Sequence, residues 1–154
     1  MNDKLKKWFR YFGDDIGYII EAVLIPGIKP KLDELGHDFT ALSIRKKYFK
    51  DSQRAYAVVD LYCENSKEVM IVETETQLSV NDVERQLKRL MLLRENESEK
   101  SLKGKTLYSA VAGMEIDDDA REMAFDHGMY VVEMVENPKY VNVIKPPSGK
   151  IGTW

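Results

Sequence analysis

Two β-rich runs, 55–63 (AYAVVDLYC) and 69–76 (VMIVETET), flank the polar turn Asn65-Ser66-Lys67-Glu68. This pattern constrains the chain more than any other, because it reads as a β-hairpin whose turn length sets the register. A four-residue turn at 65–68 places Asp60 opposite Glu73, and directly opposed residues share a face. Glu73 and Glu75 are two apart on one strand, so they share that face as well. Val69 and Ile71 lie on the same side as Glu73. The face therefore starts apolar and turns acidic toward the strand end, as the wall of a pocket does. Three carboxylates gathered there repel one another unless a counterion offsets them. Oxygen donors at this density suit Mg²⁺, Mn²⁺ or Ca²⁺. The alternative is a solvent-facing strand side with ordinary surface carboxylates.

Around the hairpin the other elements follow from periodicity. Leu5, Trp8, Phe9, Phe12, Ile16, Ile19, Ile20 and Val23 recur at helical spacing, which predicts a helix over about 3–25 that also carries Glu21. Pro26-Gly27 is expected to break it, and a short helix over about 29–35 is expected to stop at Gly36. A strand follows over 39–49. Ser79 opens a helix that runs to about 94, with Asp82 three residues on in capping-box spacing and Val83, Leu87 and Leu90 as its apolar stripe. A polar loop over 96–105 leads to a buried strand at 107–114. A helix is expected over 117–127 with Asp117, Asp118 and Asp119 at its positive end, and then a strand over 129–135 after Gly128. The proline-bearing tail has room for one short strand near 140–144. This order predicts an α/β fold: a mixed central β-sheet with an antiparallel hairpin and a strand–helix–strand crossover, and helices on both faces. One domain is expected over 1–154, with 1–11 as a helical lead-in and 136–154 as a C-terminal arm.

Composition narrows the class. The chain has 154 residues, 44% hydrophobic and 32% charged, which is globular. No apolar run reaches the roughly 18 residues that span a bilayer, and the start of the chain does not read as a signal peptide. Cys63 is the one cysteine, so no internal disulfide is possible. It is read as a buried bystander thiol in a reducing, cytoplasmic compartment. The net charge of −3 gives no overall basic balance for nucleic acid. Local basic runs do occur, at Lys4–Arg10, at Arg45, Lys46, Lys47 and Lys50, and at Arg85, Lys88, Arg89 and Arg94. Solvated faces are the ordinary explanation for such runs. The aromatic residues Trp8, Phe9 and Phe12 are candidates for a homodimer contact through the N-terminal helix.

Asp60, the hairpin turn, Val72-Glu73-Thr74-Glu75 and the following Arg- and Lys-rich helix together resemble the PD-(D/E)XK nuclease superfamily. Its signature is an Asp on one strand and (Asp/Glu)-x-Lys on the next. Gly17-Tyr18-Ile19-Ile20-Glu21 resembles the first-helix element that often adds a glutamate. The resemblance covers roughly 12–135 and also touches a group of uncharacterised prokaryotic members. One departure stands out, because Glu75 occupies the lysine position. A restriction enzyme of the superfamily is similar in having Glu-x-Glu there, with an Asp and a helix Glu alongside.

The resemblance implies a restriction-endonuclease-like fold and metal-dependent hydrolysis of DNA with Mg²⁺ or Mn²⁺. The implied catalytic set is Glu21, Asp60, Glu73 and Glu75. Asp60, Glu73 and Glu21 would hold metal with the carbonyl of Thr74, and Glu75 would orient or deprotonate water. Arg85, Lys88 and Arg89 would meet the nucleic acid. Lys88 is also a candidate for a relocated lysine. Gln86 stands where some relatives bring a glutamine to the active centre, although a surface polar residue is its simpler reading. A degenerate fold kept as a nucleic-acid- or protein-binding or dimerisation module is the alternative function. His37 and His127 sit at expected helix ends without partners at metal-ligand spacing, and no serine has a His/Asp arrangement around it.

Overall fold

The structure is a computed structural model and describes residues 23–49, 54–96, 102–134 and 141–154. The helix expected over 3–25, its Glu21 and its aromatic dimer contact lie outside the described residues, apart from the helix's last few positions. The described elements are α1 (Ile25–Glu34), β1 (Ala41–Phe49), β2 (Ala55–Glu64), β3 (Glu68–Leu78), α2 (Val80–Glu95), β4 (Thr106–Ile116), α3 (Asp118–Asp126), β5 (Tyr130–Met134) and β6 (Val141–Ile144). The six strands form one mixed sheet in the order β1-β2-β3-β4-β5-β6. β1/β2, β2/β3 and β5/β6 pair antiparallel, whereas β3/β4 and β4/β5 pair parallel across the α2 and α3 crossovers.

The helices cover both faces. On one face α1 packs with Leu61, Met70, Val72, Ala112 and Val132. On the other, Val83, Leu90 and Leu93 of α2 and Ala120 and Ala124 of α3 pack with Val69, Ile71, Val111 and Val131. Burial of both faces explains why β3, β4 and β5 read as continuous apolar runs. No described helix is long and apolar enough to cross a membrane. Cys63 is buried, and burial pushes its thiol up to about 12.

Two local outcomes differ from the sequence reading. α1 begins at Ile25 and takes in Pro26 and Gly27, which were expected to break the preceding helix. Proline in the first turn lacks only an N–H that has no helical partner there. Gly27 packs so closely on β6 that a Cβ would meet the Val141 side chain at 2.9 Å. Gly36, with φ 90°, ends the element as expected.

The second difference lies in the hairpin of β1 and β2. Leu42 and Ile44 of β1 join the α1 layer, yet Tyr48, at the same parity, joins the α2 layer. On β2, Leu61 and Cys63 join the α1 layer, while Val59 and Ala57 join the other. Both strands exchange faces between the pairs Ile44↔Leu61 and Lys46↔Val59, at the level of Arg45 and Asp60. Arg45 there has φ 50°, a left-handed conformation costly for a residue with a Cβ.

Candidate metal centre

The face exchange positions the site. The β2/β3 ladder runs from Glu64↔Val69 to Leu61↔Val72, the register expected from the turn. Asp60 and Glu73 occupy the next step on each strand, where the ladder ends. β3 continues beside β4 as far as Leu78. At this divergence the Thr74 N–H donates to Asp60 Oδ2 at 2.9 Å, so a side chain replaces the backbone acceptor that β2 no longer supplies. A cavity of about 450 Å³ opens here, lined by Arg45, Lys47, Val58, Asp60, Glu73, Thr74, Glu75 and Arg85.

α2 supplies the other wall. The capping box forms at its start: the Ser79 N–H donates to Asp82 Oδ2 at 2.8 Å, and the Ser79 hydroxyl donates to the same oxygen at 3.0 Å. Asp82 Oδ1 pairs instead with Arg85. Glu73, Glu75 and Asp82 each offer a carboxylate oxygen within 4.8 Å of the others. Asp60 lines the same cavity but is not part of that close triple. The sequence reading assigned Asp82 only the cap, whereas it also belongs to the carboxylate cluster.

Glu73 is 3% exposed. Its Oε2 pairs with Arg89, whose side chain is 14% exposed. Arg89 also donates to Gln86 Oε1 at 2.6 Å. Gln86 is fully buried and donates to Ser109 Oγ at 3.0 Å and to the Ile71 carbonyl at 3.3 Å. It is therefore no surface residue: it ties Arg89 to β3 and β4. The signal was present in its spacing, since Gln86 falls on the same helical stripe as Val83 and Leu90. Lys88 is exposed on α2 and does not line the cavity.

Burial dominates the acidities. It pushes Glu73 up to about 7, with Arg89 opposing and the charge of Asp60 adding to the rise. Burial also raises Asp60, opposed by the Thr74 N–H and by Arg89. Glu75 is raised by burial and then by the charge of Asp82.

A pH dependence of stability follows for the metal-free protein. Folded Glu73 holds its proton up to about pH 7, whereas its ordinary value is 4.5. Its stabilising contribution is thus complete below pH 4.5 and lost as pH rises through 7, by at most about 3 kcal/mol. In chelator, the urea midpoint of wild type should fall between pH 5 and 8 more steeply than that of Glu73→Gln. Parallel profiles would show that Arg89 keeps Glu73 ionised throughout.

No family model matches the chain, and no curated protein matches it. Among solved structures, the chain is similar to a repair endonuclease from Pyrococcus abyssi, with a TM-score of 0.51 and 13% identity. The match covers 75% of this chain and 47% of that one, so the chain spans about half the length of that endonuclease. The fold is nuclease-like.

Proposed function

We propose that this chain is a divalent-metal-dependent nuclease domain of the PD-(D/E)XK kind, hydrolysing phosphodiester bonds in DNA with Mg²⁺ or Mn²⁺. The observation that carries the reading is the clustering of Glu73, Glu75 and Asp82 oxygens within 4.8 Å beside Asp60, at the strand divergence of a nuclease-like sheet. An all-oxygen, all-carboxylate donor set fits a hard divalent cation. Glu73, Glu75 and Asp82 would hold it, with Asp60 and the Thr74 carbonyl across the cavity. Glu21 keeps its part in this set on the sequence resemblance alone. The cation, when bound, polarises the phosphoryl group and neutralises charge that develops during attack.

The chain's own residues supply the rest. Glu75, whose side chain is 34% exposed, would take a proton from the attacking water, and the burial that raises its pKa makes it a stronger base than an ordinary glutamate. Arg45 and Lys47 on the cavity wall attract the phosphate backbone, and Lys88 on the exposed side of α2 extends that surface.

A second reading draws on Arg85 and Arg89, which already neutralise the cluster: a nuclease fold kept as a nucleic-acid- or protein-binding module. One experiment separates the two. Double- and single-stranded DNA are incubated with the protein in Mg²⁺ or Mn²⁺, with EDTA as control, and melting is followed in parallel. The enzyme reading expects cleavage that EDTA abolishes and a saturable melting shift. At about ten times the dissociation constant that shift is roughly 3–6 °C. No cleavage, and no shift beyond NaCl of equal ionic strength, would leave the binding module.

A further inference from the structure

One guanidinium nitrogen sits among the three clustered carboxylates. Arg85 Nη2 lies 3.2 Å from Glu75 Oε1 and 3.5 Å from Glu73 Oε1, and it also pairs with Asp82 Oδ1. These residues are the ones whose oxygens come within 4.8 Å of one another. We propose that Arg85 is a displaceable internal counterion, which holds the carboxylate cluster in the metal-free protein and must swing out when a divalent cation binds. The inference rests on the metal reading above and deepens it.

The two arginines of the site differ in the way this role requires. Arg89 is mostly buried, is held by Gln86 as well as Glu73, and takes Glu73 Oε2. Arg85 is half-exposed, at 52%, and its contacts with the cluster all run through one terminal nitrogen. Rotation of its long side chain into solvent releases those contacts without disturbing the core, and water rehydrates the guanidinium at little cost. Arg89 by contrast stays, keeping Glu73 in place with its Oε1 still directed at the cluster. A cation and Arg85 cannot share the three oxygens, so they compete for them. Arg85 also keeps the carboxylate cluster from being a bare concentration of negative charge.

The test is calorimetric titration of the full chain with Mn²⁺ at constant ionic strength, for wild type, Arg85→Gln and Arg85→Lys, with chelator-treated melting curves for each. The competition predicts that Arg85→Gln binds Mn²⁺ roughly tenfold tighter than wild type, the factor expected when a half-exposed cation no longer contests three contacts. Its metal-free melting temperature should drop, through unrelieved carboxylate repulsion, while its Mn²⁺-induced shift grows. Arg85→Lys keeps a competing charge and should stay nearer to wild type in affinity. Equal Mn²⁺ affinity in wild type and Arg85→Gln overturns the counterion role and leaves the metal reading standing. Weaker binding by Arg85→Gln overturns it too, because Arg85 would then be organising the site. Absence of binding in all three proteins sinks the metal reading and this inference with it.

Discussion

At about pH 9, where Glu73 of the wild type is ionised, Arg89→Met should destabilise the protein by about 3 kcal/mol, a fall in melting temperature of roughly 6–12 °C. The Glu73 side chain is 4% exposed and that of Arg89 14%, so removing the guanidinium leaves a buried carboxylate with little water to replace it. Arg85 does not compensate, since it approaches the other oxygen of Glu73 and is divided between Glu75 and Asp82. The double variant Arg89→Met with Glu73→Met should recover most of the loss, because replacing a whole buried pair by apolar groups of similar volume is often neutral or better. Urea unfolding of wild type, Arg89→Met, Glu73→Met and the double variant at about pH 9 in chelator gives the cycle and its coupling energy. A single-variant cost under about 1 kcal/mol would mean that solvent reaches Glu73 and that the pair belongs with ordinary surface bridges.

That pair also shows which parts of the site could be read from sequence. Glu73 and Glu75 were placed on one face by strand periodicity, and turn length put Asp60 across from Glu73. Both are local rules, and the register Leu61↔Val72 obeys them. The start of α2 followed from Ser79 and Asp82 for the same reason. Asp82 was missed as a member of the cluster because one role, the cap, already accounted for it. A carboxylate has two oxygens, and the second is turned to Arg85 by contacts no spacing rule records. Gln86 was readable in principle: a long polar side chain on an apolar stripe must find buried partners, and it finds them on β3 and β4. The exchange of faces at Arg45 and Asp60 had no sequence signal. A non-glycine residue takes a left-handed conformation only where the surrounding structure holds it there, and here Tyr48 and Val59 belong to one core layer while Ile44 and Leu61 belong to the other. That distortion brings the β2/β3 ladder's end and the carboxylates to the same place, so the least readable feature sets the site's geometry.

Conservative amide substitutions should rank the carboxylates. Glu73→Gln should reduce metal-dependent DNA cleavage by about 10³-fold or more. On the metal reading it removes a ligand charge at the buried centre of the cluster, where a lost electrostatic contact costs about 4 kcal/mol of transition-state stabilisation. Asp82→Asn and Asp60→Asn then decide where the cation sits. Asparagine at position 82 can still accept from the Ser79 N–H and hydroxyl, so α2 keeps its cap and only the charge facing Arg85 is lost. Asparagine at position 60 can likewise still accept from the Thr74 N–H. Neither change disturbs the backbone, and each isolates one charge. With the cation between Glu73, Glu75 and Asp82, the Mn²⁺-induced melting shift should nearly vanish in Asp82→Asn and persist, reduced, in Asp60→Asn. With the cation between Asp60 and Glu73, as the superfamily resemblance alone implies, the order reverses. Full cleavage by Glu73→Gln would exclude the cluster as a catalytic centre whatever the other two variants did.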